Sequence, residues 1–221
     1  MFLINPYILQ ASGNPLWNGL QAYYTADNTP NDALGNYNGT LVNGTTYGTG
    51  IINQGFSFDG VNDYIQLDLG LNGYSNTEAH SYYCWINSSS TVRQWVINNG
   101  GATSGTSLVI INRKLNFWFN GGATFVESDG LFNLNELTFI GVTYDGAGVV
   151  KFYINGVLDS TKSTGVTTWD ALSASHNPRV GSWYNASNFF KGIIDEIGIN
   201  TGLLSDAEML ELYNSGAGKQ Y

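Results

Sequence analysis

Short apolar runs of strand length recur about every ten residues along the chain, and glycine, asparagine, aspartate and serine separate them. Typical runs are Leu20–Ala26, Ser81–Ile86, Leu137–Tyr144 and Val149–Ile154. Regular spacing of this kind, with turn residues between the runs, is typical of a β-sandwich or a barrel. Because all-β domains of about 200–250 residues often form one unit, we expect the 221 residues to form one main domain.

Local signals predict one tight hairpin and one helix. Asn155-Gly156 separates two apolar runs, and both residues tolerate the positive φ angles of a type I′ turn. The segment 205–214 has a helical pattern, and Ser205 with Glu208 matches a capping box at its start. Gly216 is expected to end this helix.

Charge and cysteine usage exclude several classes of protein. The chain has 8 Lys and Arg residues against 17 Asp and Glu residues, a net charge of −9, so it lacks the basic surface that nucleic-acid binding needs. Its one cysteine, Cys84, allows no internal disulfide, and we interpret it as a buried apolar residue. No apolar stretch approaches the ~20 residues of a membrane span.

Four blocks of sequence, Gly19–Asp27, Gly55–Ile65, Lys191–Ile199 and Leu203–Met209, follow one another in an order that resembles laminin-G-like, concanavalin A-like jelly-roll domains. The resemblance implies an all-β fold, a two-sheet antiparallel jelly-roll sandwich with one short C-terminal helix. The chain departs from the family at Gly198–Thr201, where members usually carry Arg-Ile-Tyr-Asn or a similar sequence. We interpret this departure as a change in the surface chemistry of the last strand.

The resemblance implies that sugar binding is a possible function, because related lectin-like domains bind sugars on a concave sheet and its rim loops. Sugar binding uses flat aromatic faces beside planar polar groups. Four residues in loop-like contexts are the candidates: Trp169, Trp183, Tyr184 and Asn185. The other tryptophans in strand runs, Trp85, Trp95 and Trp118, are expected in the core.

A subset of related domains holds a structural calcium ion with an early-strand acid and a late-strand aspartate. The resemblance therefore implies Ca²⁺ as a candidate cofactor, and no other cofactor is expected. By motif position the candidate ligands are Asp27, Asn28, Asp59 and Asp195. Oxygen atoms of carboxylates and amides are the ligands that Ca²⁺ prefers.

An enzymatic function is not expected. Hydrolases of the related fold carry their carboxylates as Glu-x-Asp-x-Glu on one strand, where alternate residues share a face. This sequence has no such run, and Asp195 and Glu196 are adjacent, so they point to opposite faces of a strand.

Residues 1–16 are interpreted as an anchoring arm, and residues 17–221 as the jelly-roll domain. The start is apolar, but it has no Lys or Arg and is interrupted at Asn5 and Pro6, unlike an export signal. It also resembles the N-terminal arms of phage-encoded laminin-G-like proteins. The residues expected to dock the arm are Phe2, Leu3, Ile4, Tyr7 and Ile8.

These observations lead to one main functional hypothesis and one alternative. The main hypothesis is a non-enzymatic surface protein of a bacteriophage virion, oligomeric on the particle, with other virion proteins and host-surface polysaccharide as partners. The alternative is a secreted or cell-surface bacterial carbohydrate-binding module. A third hypothesis is a glycosidase of the same fold, but the sequence lacks the carboxylates that such an enzyme needs.

Overall fold

The computed structural model describes residues 15–71, 73–119, 124–166, 168–169 and 176–221, and the predicted arm lies almost wholly outside them. The described chain forms strands, one α-helix, α1 (Asp206–Tyr213), and two short 3₁₀ helices, Pro15–Trp17 and Asn214–Gly216. The strands are β1 (Leu20–Tyr24), β2 (Thr40–Val42), β3 (Thr46–Thr49), β4 (Gln54–Asp59), β5 (Tyr64–Gln66), β6 (His80–Ser88), β7 (Gln94–Gly100), β8 (Gly105–Ile111), β9 (Lys114–Phe119), β10 (Thr124–Glu127), β11 (Thr138–Tyr144), β12 (Val149–Ile154), β13 (Val157–Ser163), β14 (Arg179–Val180) and β15 (Lys191–Asn200).

The strands form two antiparallel sheets that pack face to face, which confirms the predicted sandwich. An eight-stranded sheet has the order β13-β12-β11-β6-β15-β4-β3, with β1 pairing β15, and a seven-stranded sheet has the order β10-β9-β8-β7-β14-β5-β2. The two-residue turn Asn155-Gly156 joins β12 to β13 with φ angles of 51° and 74°, as its sequence predicts.

The core lies between the sheets because alternate residues of each strand face inward. Phe117 of β9, Phe152 of β12 and Ile194 of β15 are fully buried there. Cys84 is also buried in this core, which confirms its interpretation as an apolar residue.

A second cluster covers the outer face of the eight-stranded sheet. Met209 and Leu212 of α1 are buried against this face, and the ring of Tyr213 stacks on Trp85 of β6 at 5.6 Å. Leu16 packs into the same cluster at the opposite end of the described chain. This sheet therefore has both of its faces buried over the region of the helix.

The start of α1 follows the sequence prediction, and its end does not. The Ser205 side chain accepts the backbone N–H of Glu208, and the Glu208 carboxylate accepts the N–H of Ser205, so the capping box is confirmed. Asn214, with φ 49° and ψ 50°, is the C-cap, and its N–H donates to the carbonyl of Leu210. The predicted end at Gly216 is wrong because asparagine also adopts the left-handed conformation that ends a helix.

Ser205→Ala removes one half of the capping box and should lower the free energy of unfolding by about 1 kcal/mol. Urea denaturation of the two proteins measures this difference. Ser215→Ala lies just beyond the helix and is a suitable control, because its side chain caps no helix. Equal effects of the two substitutions would contradict the capping role.

The departure from the family pattern at Gly198 has a structural cause. β15 is buried from Ile194 to Asn200, and a Cβ atom at Gly198 would clash with the ring of Tyr83. The prediction of altered surface chemistry is therefore wrong at this position. Glycine is required because an aromatic ring of β6 occupies the space of a side chain.

Candidate functional site

The outer face of the seven-stranded sheet carries an aromatic cluster of its own. On β9, Leu115, Phe117 and Phe119 join the core, so the alternating residues Asn116 and Trp118 lie on the outer face. Trp118 and the neighbouring outer-face residues form a separate hydrophobic cluster. Since α1 packs on the other sheet, this cluster and the cluster under α1 lie on opposite sides of the sandwich.

Five aromatic rings in contact form an aromatic row across this face. Phe125 stacks on Trp118 with ring centroids 4.9 Å apart, and Trp118 meets Trp95 edge to face at 5.3 Å. Trp95 stacks under Trp183 at 5.1 Å, and Trp183 meets Tyr184 at 5.0 Å. Phe125 is 45% exposed, while Trp95 is 1% exposed, so the row is open to solvent at its ends and closed at its centre.

Backbone hydrogen bonds between β7 and the loop after β14 position Trp183. Gly181 donates its N–H to the carbonyl of Val96, and Trp95 donates its N–H to the carbonyl of Asn188. Within the loop, the N–H of Trp183 donates to the carbonyl of Ser187. The loop therefore lies directly on β7, and the Trp183 ring covers Trp95.

Three buried polar atoms of this face have no hydrogen-bond partner in the described structure. They are Nε1 of Trp95, Nε1 of Trp118 and Oδ1 of Asn116. Trp95 and Asn116 lie in register on either side of Val109, so two of these atoms belong to one cross-strand row. Unsatisfied buried polar atoms are costly in free energy. In the described part of the chain, two N–H donors and one carbonyl acceptor are therefore left without partners beneath this face.

Arginine side chains lie against two parts of the aromatic row. The guanidinium of Arg93 lies 4.8 Å from the ring centroid of Trp118. Arg179 of β14 donates Nη1–H to the carbonyl of Trp183 at 3.2 Å, and its guanidinium lies 4.3 Å from the ring centroid of Tyr64. The face therefore combines flat aromatic rings with positive charge.

Residues 59–209 match the sequence model of a family described as the Concanavalin A-like lectin/glucanases superfamily. The chain belongs to this family. The match covers the strands of the aromatic row and the first turn of α1, as far as residue 209. A comparison with curated protein sequences found no match.

Solved structures share this lectin-like fold at low sequence identity. Domain 4 of AbnA, an extracellular arabinanase from Geobacillus stearothermophilus solved with arabinotriose, is 22% identical, with a TM-score of 0.68 over 87% of this chain and 97% of that one. The botulinum neurotoxin serotype D binding domain is 19% identical, with a TM-score of 0.67 over 90% of this chain and 51% of that one. The binding domain of Paraclostridial Mosquitocidal Protein 1 is 16% identical, with a TM-score of 0.70 over 91% and 53%.

The structure brings three of the four predicted sugar-binding residues together. Trp183 and Tyr184 are half-buried neighbours in the aromatic row, and Asn185 is exposed beside them. Trp169 is only 5% exposed, and its ring stacks on Phe119 in the core of this lectin-like sandwich. The interpretation of Trp169 as an exposed sugar platform is therefore wrong.

The strand residues of the aromatic row are not among the predicted sugar-binding residues. Trp95 and Trp118, which were expected in the core, are buried outside the core between the sheets, and Phe125 lies beside them on β10. The signal for Trp118 was its alternation with the inward-facing Phe117 and Phe119. The contact between Trp95 and Trp183 joins a strand to a distant loop, and no local pattern predicts it.

The four predicted calcium ligands of this lectin-like domain do not form one group. Asp59 of β4 pairs with Lys191 of β15. Asp195 lies four residues further along β15, so Asp59 and Asp195 are roughly 13 Å apart along the strands. The Asp59 carboxylate accepts the N–H groups of Val61 and Asn62 in a turn. Asn28 is exposed, with φ 56°.

Asp27 and Asp195 lie near each other, but their oxygen atoms already accept hydrogen bonds. Asp195 accepts the N–H groups of Ile51 and Glu196 at 2.8 Å, and Asp27 accepts Gln54 N–H at 3.0 Å. Among the described residues, no group of three or more His, Cys, Asp or Glu side chains is arranged to hold a metal. As arranged, these ligands do not fit a calcium ion.

We expect addition of EDTA to leave the melting temperature of the protein unchanged. A lower melting temperature in the presence of EDTA, restored by added Ca²⁺, would contradict this.

Two adjacent buried carboxyl groups lie at a bulge in β15. Burial raises the pKa of Glu196 to about 9, although the Tyr23 hydroxyl donates to it, and burial raises the pKa of Asp195 to about 7. The folded state therefore holds protons on these groups at pH values where the unfolded chain, near pKa 4.5 for Glu196, has lost them. Their contribution to stability is present below the unfolded pKa and is lost as the pH rises through the folded pKa.

The unaltered protein should lose stability as the pH rises from 6.5 to 9, because Glu196 loses its proton in this range. In Glu196→Gln this loss should be smaller, because glutamine has no proton to lose. His80 does not interfere, since burial lowers its pKa to about 4 and it stays neutral in this range. Thermal melting against pH measures the effect, at about 2–4 °C per kcal/mol for a chain of this size. Glu136→Gln, on the surface, is the control, and the same slope in both variants would contradict the account.

Proposed function

We propose that this protein is a non-catalytic carbohydrate-binding domain, and that it binds its glycan on the aromatic row. One observation carries the proposal: among the described residues, the outer face of the seven-stranded sheet combines five aromatic rings in contact with three buried polar atoms that lack partners. Sugar rings pack their apolar faces on aromatic rings and present hydroxyl groups to N–H donors and carbonyl acceptors. The arabinanase domain with arabinotriose supports the proposal, since it has the same fold.

The half-buried Trp183 ring offers one face to a ligand. Its other face is supported by Trp95, so the ring is held in place before binding. Preorganised aromatic residues lose little conformational entropy when they bind. Tyr184 stands at 88° to Trp183 and provides a wall at the end of the row.

Trp183→Ala should lower glycan affinity at least about tenfold, the loss typical of an aromatic residue that dominates binding. Trp17→Ala removes a half-buried tryptophan from the opposite side of the sandwich and is the matched control. A glycan array identifies a ligand, and calorimetry then compares the variants. Equal affinities of the three proteins, or no binding to the array by the unaltered protein, would overturn the proposal.

The acidic residues near the row support a non-catalytic function. Glu127 pairs with Lys114 at 2.8 Å, and Asp129 pairs with Lys162 at 2.6 Å. Both carboxylates are therefore held by surface lysines, instead of forming the two-carboxylate arrangement of a glycosidase. Release of reducing ends from a bound polysaccharide would contradict this part of the proposal.

We also propose that the domain is displayed on a phage virion, where it is oligomeric and binds a host-surface polysaccharide. The sequence of residues 1–16 supports this location, and Phe2, Leu3, Ile4, Tyr7 and Ile8 lie outside the described residues. In the described part of the chain, no helix has the length and apolar character needed to cross a membrane. Mass spectrometry of purified particles tests the location, and absence of the chain would support the alternative of a bacterial carbohydrate-binding module.

A further inference from the structure

Arg179 is a buried cation without an acidic partner in the described structure. It is 7% exposed, and it lies on β14 between Asn98 of β7 and Gln66 of β5. Its neighbour Val180 faces the core, so Arg179 lies on the outer face with the aromatic row. The four ion pairs of the described residues all use lysines. The chain has an excess of acidic residues, and yet none of the described ones pairs with this arginine.

All contacts described for the Arg179 side chain are with neutral groups. Its Nε–H donates to Oε1 of Gln66 at 3.2 Å, and one Nη1–H donates to the carbonyl of Trp183. The ring of Tyr64 covers one face of the guanidinium. A guanidinium has five N–H donors, so these contacts leave most of its donors without a described acceptor.

A buried unpaired charge is costly, and a ligand that supplies the missing anion recovers much of that cost. The guanidinium lies beside the loop that carries Trp183, because it donates to the Trp183 carbonyl. Arg93 provides a second guanidinium at Trp118, is exposed, and forms no ion pair among the described residues. Positive charge therefore lies at both the Trp118 and the Trp183 parts of the aromatic row.

We propose that the glycan bound by the aromatic row is an acidic sugar whose carboxylate pairs with Arg179 while its ring lies on Trp183. This inference rests on the proposed function and adds the class of ligand. A carboxylate is planar and has two acceptor oxygens, which match the two parallel N–H groups of a guanidinium. The positive charge of Arg93 attracts further acidic sugar units of the same glycan.

The test uses the full chain and pairs of glycans that differ only in the acid. The probes are 3′-sialyllactose and oligogalacturonate, each against its own methyl ester, together with a glycan array that contains carboxylated, sulfated and neutral members. We expect binding to carboxylated members, and a loss of about 10- to 100-fold when the acid is absent or esterified, because a hydrogen bond to a charged group is worth about 1.5–3 kcal/mol.

Arg179→Gln should cause a similar loss, and Arg179→Lys should restore part of the affinity because it keeps the charge without the planar pair of donors. Lys191→Gln removes one positive charge from the other sheet and is the matched control. Arg93→Gln changes an exposed residue, so it gives a second test if Arg179→Gln does not fold. Melting curves show which variants are folded.

The outcomes separate this inference from the proposed function. Binding to neutral glycans with an affinity that Arg179→Gln does not change would overturn the acidic ligand and leave carbohydrate binding intact. Equal or tighter binding of sulfated members would overturn the choice of a carboxylate. Absence of binding to every array member would overturn the proposed function and this inference together.

Discussion

Trp169→Ala should lower the free energy of unfolding by about 3–5 kcal/mol, the range for removing a large aromatic residue from a core. The Trp169 ring stacks on Phe119 at 5.0 Å and contacts Tyr144 at 5.2 Å. Its Nε1–H donates to the carbonyl of Tyr74 at 3.1 Å, so the substitution also leaves an acceptor without its donor. Urea denaturation measures the loss.

Two further variants distinguish a core residue from a ligand-binding residue. Trp183→Ala removes the same side chain from a half-exposed position, and it should cost much less stability, about 1 kcal/mol for the lost stacking. Trp169→Phe keeps an aromatic ring in the core and should leave glycan affinity unchanged. A tenfold loss of affinity in Trp169→Phe, with an unchanged melting temperature, would contradict the core assignment.

Gly198→Ala should lower the free energy of unfolding by about 1–3 kcal/mol, because overpacking a filled site forces side chains or strands apart. The methyl group would enter the space of the Tyr83 ring, whose rotation is limited by its packing against Phe139. β15 pairs with β6 at this point, so a shift of either strand disturbs the centre of the eight-stranded sheet. Thermal and urea denaturation measure the change.

Shortening Tyr83 tests the cause of this effect. In a Tyr83→Val background the space is open, so Gly198→Ala should cost less than it does in the unaltered protein, and the two substitutions should couple favourably. Gly35→Ala is the control, since no atom lies near its Cβ position and only its positive φ opposes the change. Additive effects of the Tyr83 and Gly198 substitutions would contradict the clash.

The sequence predicted the features that depend on neighbouring residues. The resemblance to jelly-roll domains implied the sandwich, since spacing of the apolar runs also allowed a barrel. Asn155-Gly156 predicted a hairpin, and Ser205 with Glu208 predicted the start of α1. The hairpin and the helix start depend on backbone preferences within a few residues. Local signals therefore sufficed for several boundaries.

The features that the sequence did not predict depend on contacts between distant segments. A loop context suggested that Trp169 is exposed, but its ring stacks on Phe119 in the core. Gly198 suggested a surface change, and its cause is a ring on another strand. Alternation along a strand assigns its residues to two faces, but which of these faces meets the other sheet depends on how distant segments pack, and spacing alone does not show it.

The binding face is the central claim, and the indole N–H signals of the six tryptophans test it most directly. A ¹H–¹⁵N titration of the full chain, with the glycan that binds best on the array, follows all six at once. The account predicts that Trp183, Trp95 and Trp118 shift, while Trp17, Trp85 and Trp169 stay in place. Shifts confined to Trp17 and Trp85, on the side covered by α1, would contradict it.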